Sequence, residues 1–416
     1  MISCTLLFAA GGCVLGPGSL QHSRTNYNRA VQQTAREEML LNLVRMKYYQ
    51  SEEFIRIPSI TSQFTYDAEF GGSGAWQDGV AARLGLVFGL GASSKPTIVY
   101  TPEQAQEFNQ RLLSPIALET IDLLTSKGWA INRVLRLTVR NINDVDNATS
   151  AGGPTPELKP DFEEFVHLCN LFRVLQKNGQ QIEITYTEAP SAQSVKITDS
   201  IPDNQIDLEG IVLAAEKGYR LKRSADGATH SLWTSPPLEN SLVLRIAPTA
   251  AGSPQMEQIR SILELAPLSD QTPAYSIQSD TFGQLKRPGA SRTVNSVSRL
   301  DRTDLMFSTR SMKEMMFYLS HGISVPQSHL EQHRVRQTFD SHGCVFNWGD
   351  MTGDLFRVNV QRLRPRNAAV AVRHAGYWFY IDEADLDSKS TFNLLLELFN
   401  LQIRAGGNTQ IPILTI

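Results

Sequence analysis

The chain has 416 residues, 41% of them hydrophobic and 19% charged, enough to bury large cores across two or three domains. A net charge of -3 gives no broad basic field, so nucleic acid is not an expected partner. None of the four cysteines lies in a Cys-x-x-Cys motif, which argues against a thiol redox site.

The first segment carries the clearest address. Leu6-Leu7-Phe8-Ala9-Ala10-Gly11-Gly12 is a short apolar run closing on small residues and Cys13, with Gly16, Pro17, Gly18 and Ser19 behind it. This pattern resembles a lipoprotein-type signal over 1–13, in which Cys13 is acylated and becomes the mature N-terminus. Cys4 falls inside that signal, leaving Cys169 and Cys344 for the folded part. Those two read as isolated buried residues or as a single disulfide.

Residues 14–100 are expected to hold a tether, a long helix and a hairpin. Val31, Ala35, Met39, Leu43 and Met46 recur at helical spacing and predict an amphipathic helix over 26–49, capped by Thr25-Asn26. Ile60, Ser62, Phe64, Tyr66, Ala68 and Phe70 then alternate with polar residues, and Val80 to Leu90 alternates again. Together they predict an amphipathic β-hairpin. Each arm matches the roughly 9–11 residues that a tilted strand needs to cross a bilayer. The simpler alternative is a soluble hairpin packed on the helix or the body.

An α+β domain is expected over 101–266. Thr101-Pro102-Glu103-Gln104 and Ser114-Pro115 each open a helix, Val134 to Ile142 reads as a strand, and 143–160 as a surface loop. Helices are expected over 161–177, 206–217 and 255–265, and strands over 182–187, 219–223, 231–234 and 241–247. Pro267 to Arg292 reads as a linker rich in Pro, Ser, Gly and Gln. The C-terminal α+β domain, 293–416, carries strands near 306–309, 355–362, 368–372 and 377–381 and a helix over 311–320. Asp387-Ser388 is expected to cap a last helix, with a closing strand over 411–416. The fold class is therefore α+β, with an N-terminal long helix and β-hairpin followed by mixed domains with antiparallel strands.

Few residues suggest chemistry. His329 and His333 are four apart and would share a helix face, but Glu331 is displaced from the position that zinc proteases require. His321, His342 and Cys344 are the nearby residues that would complete a metal site. Asp144 with Asp146, and Asp382, Glu383, Asp385 and Asp387, do not follow a calcium-loop pattern. Acidic residues before the last helix already complement its dipole. Arg357, Arg362, Arg364, Arg366 and Arg373 concentrate positive charge, suited to anionic head groups, to cell-wall polymers or to guarding a strand edge. No nucleophile elbow or phosphate loop occurs, so no catalytic residue and no cofactor is expected.

Asn26 to Asn28 with Glu38 to Arg45, Ser59 to Phe64, Pro96 to Pro102, Phe317 to Gly322, and Gly376 to Asp382 with Asp387 to Phe392 resemble a group of bacterial envelope lipoproteins of no known activity. The resemblance implies one integrated architecture and an envelope location. The expectation is a non-enzymatic scaffold or assembly subunit, membrane-bound through N-terminal acyl chains and facing the periplasm, whose partners are envelope proteins or further copies of itself. The alternatives are a periplasmic enzyme acting on cell-wall or lipid material, with His329, Glu331 and His333 as its site, and a soluble ligand-binding module.

Overall fold

A computed structural model describes residues 15–56, 60–73, 85–98, 101–102, 106–190, 196–202, 206, 208–223, 229–234, 238–268, 274–280 and 302–404. Cys13 and the expected closing strand at 411–416 lie outside these residues. The fold is α+β.

Helix α1 (Leu15–Lys47) is longer than the expected 26–49 helix and runs straight through Thr25-Asn26. Pro17 sits in its first turn, where a missing N–H costs nothing. Residues 25–38 are exposed or half-buried, whereas Met39, Leu40, Leu43, Val44 and Met46 are buried. From residue 25 onward, the helix therefore docks by its last turns. Buried Asn42 fixes the chain reversal that follows, donating from Nδ2 to Glu53 O at 2.7 Å and accepting from Glu53 N at 3.0 Å.

Strand β1 (Ile55–Arg56) then leads to β2 (Ile60–Ser73) and β3 (Gly85–Ile98), after which the chain returns through β4 (Thr101–Pro102). β1 pairs with β4, so both ends of the hairpin meet at one root. The second arm runs on to Ile98, a correction to the expected end at Leu90, while residues 80–84 of the expected span lie outside the described residues. Its polar end, Ser93-Ser94-Lys95-Pro96, reads as a turn by composition, yet it pairs with Phe64, Thr65, Gln63 and Ser62. Pro96 is tolerated because both arms of a lone hairpin are edge strands. The register pairs Phe70 with Phe88, Ala68 with Leu90, and Tyr66 with Ala92; between these fall Glu69 with Gly89, Asp67 with Gly91, and Gln63 with Lys95. Alternation along a strand thus separates an apolar face from a polar one.

The body follows with α2 (Gln106–Leu113), α3 (Leu118–Ser126), α4 (Ile131–Thr138), β5 (Val139–Ile142), β6 (Val145–Asp146) and α5 (Glu163–Lys177). Thr101-Pro102 belongs to β4 instead of opening a helix, and Ala117 precedes α3 in place of Ser114. The expected strand over 134–142 is helical as far as Thr138. Its apparent polar alternation misled because Arg136 and Thr138 are themselves buried. The 143–160 segment, expected as surface loop, includes β6 and a tight turn over Thr149–Gly152 with Ala148 and Ala151 fully buried.

Next come β7 (Ile182–Pro190), β8 (Lys196–Pro202), α6 (Leu208–Glu216), β9 (Tyr219–Arg223), β10 (Thr229–Thr234), β11 (Leu238–Ile246), α7 (Pro254–Leu263), β12 (Ala274–Ser279) and β13 (Asp304–Thr309). β8, β10 and β9 make a small antiparallel sheet. The main sheet has the order β6-β5-β13-β12-β11-β7, with only β12 and β13 parallel. Strand β12 overturns the linker reading for residues 274–279: Tyr275 and Ile277 are buried alternately between β11 and β13. The two expected domains consequently share this sheet.

The chain ends with α8 (Met312–Ser320), α9 (Gln327–Glu331), α10 (Gly349–Thr352), β14 (Asn359–Gln361), β15 (Ala368–His374), β16 (Tyr377–Asp382) and α11 (Leu386–Phe399). β14, β16 and β15 form a third antiparallel sheet, with β14 much shorter than the expected 355–362 strand. Asp385, not Asp387, caps α11, accepting from Ser388 N at 3.0 Å. One continuous core joins the end of α1, the main sheet, α5, α8, β15, β16 and α11.

Candidate functional site

The end of α1 and the segment around α8, α9 and α10 enclose a cleft of about 720 Å³. Each wall has a local cause. Ser311 and Glu314 form a reciprocal capping box that starts α8, and His321 closes it. Gly322 follows because a Cβ there would lie 2.4 Å from the Phe356 carbonyl oxygen. Val358 N donates to Gly322 O at 3.0 Å and Ser324 N to Val358 O at 2.9 Å, clamping this wall to the 356–358 segment. Thr352 Oγ1 donates to Trp348 O at 3.1 Å and steadies the short helix that carries the indole.

His321 lies flat on Trp348, with ring centroids 4.1 Å apart and planes 13° from parallel. Its Nε2 is 3.1 Å from Ala151 O, which assigns the proton to Nε2 and leaves Nδ1 as an acceptor. That Nδ1 is buried with no hydrogen-bond partner among the described residues. Burial, then the nearby Lys47 charge, holds the imidazole well below its ordinary pKa, so it is neutral.

Lys47 is only 5% exposed and lines the same cleft. Burial lowers its pKa to about 8. The amine stands 5.9 Å from the Trp348 ring centre and makes no hydrogen bond or ion pair with the described residues. Its position in the last turn of α1 lets the helix dipole offset part of the charge. A buried lysine is ordinarily paired, however, and this one lacks a carboxylate. The arrangement offers a cationic donor beside a neutral imidazole and an indole. Its chemistry suits pairing with an anionic group, and among the described residues it holds no nucleophile and base in hydrogen-bond contact.

The histidine pair suggested by spacing does not come together. Helix α9 ends at Glu331, and His333 lies beyond it, exposed, with a left-handed φ of 52°. His329 is buried, with Nδ1 2.7 Å from Tyr48 Oη and Nε2 3.2 Å from Arg334 Nη1. Both ring nitrogens are occupied by the fold, which corrects the shared-face metal reading. His342 and Cys344 are exposed, and their backbone N–H groups donate to Asp340 Oδ1. Cys169 is buried on α5; both cysteines are free thiols, so the disulfide reading is set aside. Among the described residues, no cluster of three or more His, Cys, Asp or Glu side chains is arranged to hold a metal.

The acidic groups near α11 already have partners. Asp387 meets Arg133 at 2.5 Å, Glu383 meets Lys389 at 2.5 Å, and Asp382 Oδ1 accepts from Ala384 N. Asp144 pairs with Arg302 at 3.2 Å. In the arginine group, Arg362 lies 5.6 Å over Tyr377 and Arg364 5.3 Å over Trp378, so these cations cover aromatic rings of the third sheet.

Lys47 and Trp348 do not stand out as site residues in the sequence, where His321 marks a helix end and a candidate metal ligand. Lys47 follows Leu40 by seven residues and Leu43 by four, which puts a lysine on the buried stripe of α1. That misplaced charge was the available signal.

No family model, curated protein or solved structure matches the chain. No described helix is long and apolar enough to cross a membrane.

Proposed function

We propose that this chain is a lipid-anchored assembly subunit of a bacterial envelope, tethered through acyl groups on Cys13 and contributing its 60–98 hairpin to a sheet closed by further copies. Its role is to build and hold a structure at the membrane surface, not to turn over a substrate. The observation that carries this reading is the hairpin. Each arm has 14 residues in unbroken register, one face apolar and the other polar by alternation. At about 3.3 Å per residue each arm is long enough for a tilted strand to traverse a hydrocarbon core of about 30 Å.

The hairpin has no third strand among the described residues, so both outer edges carry unpaired N–H and C=O groups. Such edges are untenable in lipid and are satisfied when copies pair edge to edge around a ring. The signal-like run before Cys13, and the resemblance of several stretches to envelope lipoproteins, support the location.

The test is size measurement and imaging of the full-length, acylated protein in detergent. Rings or defined oligomers are expected, together with palmitate incorporation that Cys13→Ala abolishes. A monomer under all detergent conditions ends the shared-sheet reading, and equal labelling of Cys13→Ala ends the tether.

A further inference from the structure

We propose that the cleft between the end of α1 and the 321–357 segment binds a small amphiphilic anion, whose carboxylate or phosphate head pairs with Lys47 and whose apolar body lies against Leu330, Val345 and Trp348. The inference does not depend on the assembly role; it concerns a different part of the molecule.

Lys47 is buried at the cleft wall without a counter-charge among the described residues. Desolvating an ammonium costs several kcal/mol unless an opposite charge accompanies it. The other cationic groups on the lining are Arg336, which pairs with Glu157 at 3.2 Å, and Arg357, which is exposed and has no ion-pair partner among the described residues. The one lining carboxylate, Asp350, is exposed and accepts a hydrogen bond from Asn347 Nδ2 at 2.9 Å. His321, neutral and stacked on Trp348, adds no charge. The cleft therefore carries excess positive charge with its deepest cation uncompensated. An oxyanion satisfies that cation.

The size and lining of the cleft select the rest of the ligand. A cleft of about 720 Å³ lies within the range of about 300–1,000 Å³ common to small-molecule sites and is too large for a bare phosphate. Among the polar groups, its lining carries apolar side chains that keep accessible surface: Val345 is exposed, and Val325, Leu330 and Trp348 are half-buried. Such a wall favours a hydrocarbon or aromatic body over a polyhydroxylated one, by about 25 cal/mol for each Å² of apolar surface covered.

Octanoate, octyl phosphate and octanol serve as probes, titrated into the full chain by calorimetry below their micelle concentrations. Saturable binding of one or both anions is expected, with octanol at least tenfold weaker. The preferred anion identifies the head group as carboxylate or phosphate. Lys47→Met should fold normally and lower anion affinity at least tenfold, to the level of octanol. Lys47→Gln serves the same purpose if the methionine variant is poorly soluble. A measurement on the unaltered chain adds a second check: reductive methylation followed by peptide mass spectrometry should show the anion protecting Lys47 while exposed Lys127 and Lys177 react as before. Equal affinity in wild type and variant, octanol binding as tightly as the anions, or no saturable binding overturns the proposal.

Discussion

Tyr48, the residue just past helix α1, places its hydroxyl 2.7 Å from Nδ1 of His329, 281 positions away. Arg334 Nη1 lies 3.2 Å from the other ring nitrogen. Arginine can only donate, so Nε2 accepts and Nδ1 carries the proton, which it gives to the Tyr48 oxygen. Burial, then Arg334, lowers the imidazole pKa, in keeping with a neutral ring. The tyrosine thus stitches the docked end of the long helix to α9. Tyr48→Phe removes the acceptor and leaves a buried N–H unpaired, a loss of about 1–3 kcal/mol. Urea denaturation checks it; an unchanged midpoint would mean that water or another group takes the place of the hydroxyl.

Lys47 should weaken the fold it lies in. Its pKa falls from 10.5 in the open chain to about 8 in the folded one. Between those values the unfolded chain binds more protons, so this residue's contribution to stability rises as pH rises from 8 to 10.5. Below pH 8 the penalty is fully present, of order 3 kcal/mol at about 1.4 kcal/mol per pH unit. Lys47→Met is therefore expected to stabilise the protein by about 1–3 kcal/mol at pH 7, with the advantage over wild type shrinking toward pH 10.5. Paired denaturation curves at pH 7 and 10 measure this. An advantage that grew with pH would reverse the assignment.

Arg310 is the opposite case, a buried cation built into the core. It is fully buried, its guanidinium lies 4.1 Å over the Tyr318 ring, and it donates to the carbonyl oxygens of Arg136, at 2.8 Å, and Asn147. These contacts join α4, the loop after β6 and α8. Burial pulls its pKa down to about 10, which still leaves it charged at neutral pH. Arg310→Met would strand the buried Asn147 carbonyl, worth about 1–3 kcal/mol, take one of two donors from the Arg136 carbonyl, which keeps Asn147 Nδ2 at 2.9 Å, and leave the Tyr318 face without its cation. A total loss above about 3 kcal/mol is expected in thermal or chemical unfolding. Arg310→Lys keeps the charge but not the planar fork, and should recover less than half of that loss.

The same buried arginines explain where the sequence was hard to read. Residues 134–142 alternate apolar and polar, so Arg136 looked like the wet side of a strand, yet it is 1% exposed and forms a bidentate pair with Asp354 at 2.7 and 2.8 Å. Periodicity reports polarity, and polarity stops reporting exposure once a cation is buried and its hydrogen bonds are met by a carboxylate at the rim, here the exposed Asp354. Strand β12 hid for another reason. Six residues with two buried side chains, Tyr275 and Ile277, give too short a pattern to stand out among prolines and serines. Long α1 and the phase of the β2–β3 alternation were legible because each repeats over many residues. The cleft was not, since Lys47, His321 and Trp348 are brought together only by the tertiary packing of α1 against α8.

The hairpin should be removable without harm to the body. β1 and β4 hold its two ends in register at the root, Ile55 opposite Pro102 and Arg56 opposite Thr101. Beyond that root, β2 and β3 pair with each other, and no other described element packs extensively on either arm. Replacing residues 60–98 by a short Gly-Ser loop closes a smaller excursion between ends that already meet, and each halving of loop length changes closure entropy by only about 0.6 kcal/mol. The melting temperature of the body should therefore stay within a few degrees of the full chain. Assembly in detergent, by contrast, should disappear with the hairpin. A body that unfolds on excision would show that the hairpin is a structural part of the fold, and rings that survive it would place the assembly contacts on another surface.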